Sequence, residues 1–262
     1  MAERTSDWSC AIAVMAKASA PGRTKTRLTP PLTPDQAAAF NTAFLQDIAA
    51  NLLAASQSAP IAGYMAYGPP GSAGFFRRRL PPAIGLMEVW QANFGDCLHQ
   101  TIRDLLARGH DAAVVLNADS PTLPTALLVE AADWLARPGD RAVLGPAEDG
   151  GYYLLGLKAP HRRMFEDIDW STERVAGQTL ARAREIGLDV HILPPWYDVD
   201  DAAALRRLHD ELFAGAAPDP GPGPAPHDAV HTADLMMALG LAMFNTPPGR
   251  AGAERIPNVV AV

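Results

Sequence analysis

The stretch AIAVMAKASAPGRTKTRL, residues 11–28, begins as an apolar run and breaks into a basic loop. The run at 11–16 has the length of a buried strand, and the small residues and proline that follow should end it. Four cations then lie within eleven residues beside a glycine: Lys17, Arg23, Lys25 and Arg27, with Gly22 among them. Cations so grouped can gather phosphate oxygens, which makes a nucleotide the first ligand to consider.

The rest of the composition makes this loop a local exception. The chain has 262 residues, with 22 Lys and Arg against 29 Asp and Glu, so its formal net charge is −7. We therefore expect no general nucleic-acid surface, because nonspecific binding to a polyanion needs accumulated positive charge. The length suits one large α/β domain, or a domain of about 200 residues with an appendage.

Several features predict a soluble, cytoplasmic protein. The two cysteines, Cys10 and Cys97, show neither CxxC spacing nor the density of a disulfide-stapled domain. The first ten residues lack the apolar core of a signal peptide. The longest apolar run, residues 235–244, is shorter than the roughly 20 residues that span a bilayer, so we expect no membrane span.

Strand-length apolar runs alternate with helical patterns through the first 210 residues. Predicted strands cover 11–16, 61–67, 84–89, 112–118, 141–147, 152–157 and 189–194. Predicted helices cover 34–56, 95–108, 124–136, 172–186 and 200–213. This order predicts a mostly parallel sheet with helices on both faces, that is, a Rossmann-like three-layer α/β/α sandwich.

Capping residues support several of these helices. Thr33 with Pro34 supplies an N-cap and a favoured first helical residue, and Ser171 or Thr172 should do the same for the helix at 172–186. Gly109 and Gly187 should end helices by adopting positive φ.

The composition changes at Ala216, which divides the chain into three predicted parts. Residues 1–215 are predicted to form the main α/β domain, 216–227 a Pro/Gly linker, and 228–262 a C-terminal helix (228–245) with a tail. A lone amphipathic helix cannot bury its own apolar face. We expect its apolar residues to dock on the main domain or on a second subunit, which would make a homodimer: Leu235, Met236, Leu239 and Met243.

The basic loop should lie at the carboxyl edge of the parallel sheet, where open α/β folds bind ligands. It matches neither the P-loop pattern nor a GxGxxG turn. The alternative is a solvated basic surface.

Three acidic segments should lie near the loop. In NADSPTLP, residues 117–124, Asp119 follows a strand and could hold Mg²⁺ or Mn²⁺, although Asp119 or Ser120 could instead cap the next helix. In WYDVDD, residues 196–201, Asp198 and Asp200 alternate in an extended run and would share a face, as metal ligands must. Here too, Asp200 or Asp201 could be an N-cap.

The third segment, GPAEDGGYYLLGL at 145–157, places Asp149 beside Gly150 and Gly151. Without side chains, these glycines let the backbone approach a ligand or adopt positive φ. Asp-Gly-Gly is also a common hairpin turn. Three further residues are weaker candidates. We interpret His227 and His231 as the polar face of the C-terminal helix rather than as a metal-binding pair. We interpret Cys97 as a buried thiol on a helix rather than as a nucleophile.

Taken in order, these segments resemble the glycosyltransferase-A-like fold of nucleotide-diphospho-sugar transferases. More narrowly, the chain resembles the bacterial radical-SAM/selenodomain-associated transferase 1 family. The resemblance covers residues 11 to about 213 and rests on the segments at 15–28, 91–98, 117–124, 145–157, 168–172 and 197–201. It implies a nucleotide over the loop after the first strand and a divalent cation beside Asp119. Similar loops occur in 2-phospholactate and molybdenum-cofactor guanylyltransferases, and NADSP departs from the DxD motif of glycosyltransferases in having one Asp.

The expected site therefore has three groups of residues. The catalytic candidates are Asp119, Asp149 and Lys25. The nucleotide-binding candidates are Lys17, Gly22, Arg23, Lys25, Arg27, Gly150 and Gly151. The metal-binding candidates are Asp119, Asp198 and Asp200.

We expect glycosyl transfer and keep two alternatives. A glycosyltransferase would use a nucleotide-sugar donor and a small-molecule acceptor, with Mg²⁺ or Mn²⁺ neutralising the diphosphate leaving group. A nucleotidyltransferase would join an NTP to a phosphorylated small molecule, which the dense positive charge of the loop favours. A noncatalytic nucleotide-binding module is the third, since fold alone does not establish catalysis.

Overall fold

A computed structural model describes residues 8–213 and 223–240 of the chain. Its seven strands are β1 Cys10–Lys17, β2 Ile61–Gly68, β3 Gly85–Glu88, β4 Ala112–Leu116, β5 Arg141–Pro146, β6 Tyr152–Leu157 and β7 Asp189–Ile192. Its helices are α1 Pro34–Ser56, α2 Ala73–Arg77, α3 Phe94–Ala107, α4 Thr125–Leu135, α5 Val175–Glu185, α6 Ala202–Phe213 and α7 Val230–Ala238. Two short 3-10 turns occupy Thr26–Leu28 and Arg162–Phe165.

The strands form one sheet in the order β3-β2-β1-β4-β6-β5-β7. Every neighbouring pair is parallel except the two that involve β6, which runs against β4 and β5. The predicted mostly parallel α/β fold is therefore confirmed. The Asp-Gly-Gly segment forms the turn between β5 and β6, so its hairpin interpretation is also correct.

Alternate residues of β1 enter two different cores, which shows that helices cover both faces of the sheet. Ile12 packs in one cluster with residues of α1 and α4, and Ala13 packs in the other with residues of α3. Because both faces of a central parallel strand are buried, β1 is a continuous apolar run rather than an alternating one.

The helix boundaries confirm some capping predictions and correct one. The Thr33 side chain accepts a hydrogen bond from the Gln36 amide, and the Gln36 side chain accepts one from the Thr33 amide. These two bonds form a capping box at the start of α1, whose first residue is Pro34. Gly109 and Gly187 adopt φ of 95° and 67°. The prediction that Ser171 or Thr172 caps the next helix is wrong, because α5 begins later, at Val175.

A third core cluster joins the C-terminal helix to the main body. Met236 of α7 is buried with Leu28, Phe44 and Leu208, so the helix docks on α1, the basic loop and α6 of its own chain. Asp47 on α1 accepts hydrogen bonds from the His231 and Thr232 amides at the start of α7, at 2.8 and 2.9 Å.

The predictions for the C-terminal part are only partly covered by the described residues. The helix α7 is shorter at both ends than the predicted 228–245. Leu235 and Leu239 pack against the third cluster as expected, whereas Met243 and most of the predicted linker and tail lie outside the described residues. In the described part of the chain, no helix has the length and apolarity to cross a bilayer.

Candidate functional site

The basic loop leaves β1 at the carboxyl edge of the sheet and is pinned at both ends. Asn41 on α1 donates to the Lys17 carbonyl at 3.1 Å and to Ser19 Oγ at 2.8 Å. At the other end, the buried side chain of Leu28 anchors the 3-10 turn in the third core cluster. The loop is thus a supported element rather than a free surface segment.

Lys25 has an unusual backbone and an unusual position. Its φ and ψ are 50° and 40°, a left-handed conformation that costs energy for a residue with a Cβ. Its side chain is only 5% exposed, and its ammonium lies 5.3 Å from the centre of the Phe44 ring. Such strain at a buried cation makes Lys25 a candidate functional residue.

The partners of Lys25 come from two distant segments. Its Nζ atom forms a short ion pair with Asp119 and lies 3.0 Å from Oδ1 of Asp200. It also donates to the Val199 carbonyl at 2.9 Å. Arg27 completes the group with an ion pair to Asp200 at 2.6 Å, although its own side chain is 74% exposed.

Backbone hydrogen bonds bring the two acidic segments together. The Val199 amide donates to the Asp119 carbonyl at 2.8 Å, and Ser120 Oγ donates to the Tyr197 carbonyl at 2.9 Å. Ser120 therefore ties the two segments together instead of capping a helix. The N-cap role falls to Asp201, whose Oδ1 accepts from the Ala203 and Ala204 amides at 2.9 and 2.8 Å.

Asp198 is a half-buried carboxylate at the same edge of the sheet. Burial, followed by the negative charges of Asp149, Asp200 and Asp119, raises the pKa of Asp198 to about 6. Negative charge is thus concentrated at this edge of the sheet.

The donor chemistry at this edge fits a hard divalent cation, because all of the candidate ligands are carboxylates. In the conformation seen, however, residues 8–213 and 223–240 contain no group of three or more His, Cys, Asp or Glu side chains close enough to hold a metal ion. The ammonium of Lys25 lies between Asp119 and Asp200 instead. In this conformation Lys25 therefore separates two of the candidate metal ligands.

Two cavities meet at these residues. The first, which we call the basic cavity, has a volume of about 310 Å³. It is lined by Met15, Lys17, Arg23, Thr24, Lys25, Thr26, Arg27, Asn41, Ala118, Asp119 and Asp200. All four predicted cations thus face one space. Lys17 and Arg23 make no ion pair with any other described residue, so their charge is available to a ligand.

The second, the aromatic cavity, has a volume of about 510 Å³ and shares Arg27, Asp119 and Asp200 with the first. Its other lining residues are Phe94, Asp149, Gly151, Tyr152, Trp170, Ser171, Thr172, Glu173 and Val175. Most of these were not predicted as site residues, although the segments at 91–98 and 168–172 carry part of the family resemblance. No charge pattern marked them, because aromatic side chains more often belong to a core.

The structure separates the predicted glycines from the basic cavity. Gly22 has a φ of 68° in the loop and does not line that cavity. Gly151 lines the aromatic cavity and donates its amide to Asp149 Oδ1 at 2.8 Å. Gly150 adopts a φ of 90°, and a Cβ at this position would lie 2.2 Å from the carbonyl oxygen of Glu173.

Comparison with known proteins supports this reading of the fold. Residues 51–172 match a family described as an uncharacterized protein conserved in bacteria (DUF2064). A crystal structure from Desulfovibrio desulfuricans G20, provisionally described as a nucleotide-diphospho-sugar transferase, is 25% identical with a TM-score of 0.74, covering 90% of this chain and 98% of that one. No curated protein matches the sequence.

A more distant match shows the fold alone. CMP:2-keto-3-deoxy-manno-octonic acid synthetase, solved with CTP, is 12% identical with a TM-score of 0.50 and covers 79% of this chain and 100% of that chain. The Desulfovibrio match supports the nucleotide-diphospho-sugar transferase superfamily and a transferase, and both matches support the glycosyltransferase-A-like fold.

Proposed function

We propose that the protein is a glycosyltransferase that uses a nucleotide-diphospho-sugar donor, a small-molecule acceptor and Mg²⁺ or Mn²⁺. The observation that carries this proposal is the pairing of Lys25 and Arg27 with Asp119 and Asp200. Asp119 and Asp200 remain beside the loop whichever group Lys25 contacts, so four cations and two carboxylates leave a net charge of about +2. That net charge suits the roughly two negative charges of a sugar diphosphate better than the roughly four of a triphosphate.

In this proposal the two cavities divide the substrates. Lys17 and Arg23 bind the diphosphate in the basic cavity, and the sugar lies at the boundary marked by Asp119 and Asp200. The acceptor occupies the aromatic cavity, where Asp149 is an exposed carboxylate. Both substrates then meet at the carboxyl edge of the sheet, as in other open α/β folds.

Transfer needs one bond made and one broken. The acceptor oxygen attacks the anomeric carbon while the bond from that carbon to the diphosphate oxygen breaks, and the acceptor proton passes to Asp149. When the donor binds, Lys25 exchanges its carboxylate partners for the diphosphate. Its ammonium then stabilises the charge that develops on the leaving diphosphate. Asp119, Asp198 and Asp200 would hold the cation, which supplies further neutralisation of that leaving group.

The resemblance to the radical-SAM/selenodomain-associated transferase 1 family agrees with sugar transfer. It rests on residues 11 to about 213, and we include that narrower family in the proposal. The C-terminal helix leaves Val230 and Met237 exposed, so a homodimer through that helix is also part of it.

Nucleotidyl transfer is a second candidate because of one specific observation. Arg27 is 74% exposed, and an exposed ion pair contributes at most about 1 kcal/mol, so a triphosphate could recruit this cation easily. All four cations would then bind one triphosphate. A phosphate group of the acceptor would attack the α-phosphorus, and pyrophosphate would leave.

A thermal-shift screen separates the candidates. Nucleoside triphosphates and sugar nucleotides are added with and without Mn²⁺, because a ligand that binds only the native state raises its stability. Glycosyl transfer predicts metal-dependent stabilisation by a UDP- or GDP-sugar. Stabilisation confined to triphosphates would favour nucleotidyl transfer, and a shift that ignores the metal would favour a noncatalytic binding module.

A further inference from the structure

The aromatic cavity has a wall of three rings that donor binding does not explain. Trp170 meets Phe94 edge to face at a centroid distance of 5.4 Å and meets Tyr152 at 6.4 Å. Phe94 is 50% exposed, and its ring lines the cavity. The hydroxyl of Tyr152 is buried and has no hydrogen-bond partner in the described part of the chain. Tyr152 therefore contributes its ring, and not its hydroxyl, to the wall.

Two glycines show that this wall is held in place. A Cβ at Gly95 would lie 2.9 Å from Nε1 of Trp170, so the missing side chain lets the indole pack on the first turn of α3. A Cβ at Gly150 would lie 2.2 Å from the carbonyl oxygen of Glu173. The segment that carries Trp170 and Glu173 is therefore fixed against both α3 and the β5–β6 turn.

The cavity also carries uncompensated negative charge. Asp149 and Glu173 line it, and neither forms an ion pair with any other described residue. Its described lining holds one cation, Arg27, against the four carboxylates of Asp119, Asp149, Glu173 and Asp200. A phosphate group entering this space would meet an excess of like charge even if it recruited Arg27.

We propose that the aromatic cavity recognises an ammonium group on the acceptor, so that the acceptor is a hydroxylated amine and not a phosphate ester. The proposal rests on the proposed function, since it takes this cavity as the acceptor site. A cation within about 6 Å of an aromatic centroid is attracted to the ring face, most strongly for Trp. Asp149 and Glu173 add attraction that a neutral compound would not gain. The ammonium serves recognition, and a separate hydroxyl of the acceptor reacts.

The test uses the full chain and three hexoses that differ in one substituent: glucosamine, glucose and glucose 6-phosphate. Each is titrated by ligand-observed NMR at about pH 6.5, where the amine is protonated. We expect glucosamine to bind about tenfold more tightly than glucose, and glucose 6-phosphate to bind more weakly than either. Added salt should reduce the preference for glucosamine and leave glucose binding unchanged, because salt screens charge.

Three variants assign the effect to this wall. Trp170→Ala should abolish saturable binding of glucosamine, and Glu173→Gln, an exposed position that folding tolerates, should lower glucosamine affinity towards that of glucose. The control variant is Trp134→Phe, because Trp134 lies on α4 and stacks on His191. It should change neither the affinity for glucosamine nor the affinity for glucose.

Equal binding of glucose and glucosamine, no saturable glucosamine binding, or tightest binding of glucose 6-phosphate would overturn the proposal. A sugar-nucleotide thermal shift measured on the same wild-type sample keeps this failure distinct from failure of the proposed function. If that shift is present and the amine preference is missing, only the acceptor assignment fails. If that shift is missing, the donor assignment fails.

Discussion

The Nζ atom of Lys25 lies 3.0 Å from Oδ1 of Asp200, a residue 175 positions further along the chain. The same ammonium pairs with Asp119, so one buried cation joins the basic loop to both acidic segments. A ligand phosphate would compete with the carboxylates for Lys25, and a metal ion would compete with Lys25 for the carboxylates. Binding of the phosphate should therefore favour binding of the metal ion, and the reverse.

Replacing Lys25 by methionine should change nucleotide and metal binding in opposite directions. The variant loses a charged hydrogen-bond donor worth about 1.5–3 kcal/mol, so sugar-nucleotide affinity should fall roughly 10- to 100-fold. Asp119 and Asp200 lose their counter-charge, so Mn²⁺ binding without nucleotide should tighten. Calorimetric titration measures both affinities.

The opposite signs provide the control for this variant. A Lys25→Met protein that folds poorly would lose both affinities together. Weaker Mn²⁺ binding in a folded variant would show that Lys25 does not occupy a cation position.

Asp119→Ala should eliminate metal-dependent turnover, because it removes both a candidate metal ligand and a partner of Lys25. The matched control is Asp201→Ala, which removes the N-cap of α6. It should cost about 1 kcal/mol of unfolding free energy and leave turnover per folded molecule unchanged. Equal turnover in Asp119→Ala and wild type would remove Asp119 from the site.

Gly150→Ala should destabilise the protein and weaken acceptor binding. The new Cβ would lie 2.2 Å from the carbonyl oxygen of Glu173, which would displace the segment that carries Trp170. Gly139→Ala is the matched control, since Gly139 has a similar φ of 88° and its Cβ would lie 3.8 Å from Arg141.

In both variants the alanine is strained by the positive φ. The difference between their free energies of unfolding therefore isolates the effect of the close approach at Gly150. We expect Gly150→Ala to lose about 1–3 kcal/mol more unfolding free energy than Gly139→Ala, measured by denaturant titration. Equal losses would show that the segment adjusts freely.

Asp47 should make stability depend on pH through the docking of α7. Burial raises the pKa of Asp47 above its usual 3.8, although its hydrogen bonds to His231 and Thr232 oppose the rise. Since the folded state then binds this proton more tightly than the unfolded state, the contribution of Asp47 to stability is greatest at low pH and decreases as pH rises from 3.8 through the folded-state pKa.

Asp47→Asn removes this titration. The unfolding free energy of the wild type minus that of Asp47→Asn should fall as pH rises across that window. A difference that rises with pH would show that the folded state does not raise the pKa of Asp47. Asp47→Ala should be about 2 kcal/mol less stable than Asp47→Asn at any pH, because neither side chain titrates and alanine leaves the first amides of α7 without their acceptor.

Local sequence signals predicted the fold well because its elements have strong local causes. The helix α1 was predicted with its observed ends, Pro34 and Ser56, because Thr33, Pro34 and Gln36 specify its start. Apolar runs found the strands, and the alternation of strands and helices gave the sheet. The misplaced cap at Ser171 or Thr172 shows the limit, since Ser171 adopts a φ of 65° in a loop that packs against the β5–β6 turn.

The sequence predicts part of the charged lining of the candidate site and none of its aromatic lining. Lys25, Asp119 and Asp200 do lie together, as expected from loops at one sheet edge. The pairing of Lys25 with both carboxylates depends on a contact over 175 positions, for which the local pattern has no signal. Phe94 and Trp170 were visible only as parts of motifs, because their meeting depends on how α3 packs against the segment before α5.

The most direct test of the account is to identify the leaving group. The full chain is incubated with Mn²⁺ and hydroxylated amines, in one series with UDP- and GDP-sugars and in another with nucleoside triphosphates, and the products are separated by chromatography. We predict release of a nucleoside diphosphate from a sugar nucleotide, lost in Asp119→Ala. Release of pyrophosphate from a triphosphate, without any nucleoside diphosphate from the sugar nucleotides, would contradict it.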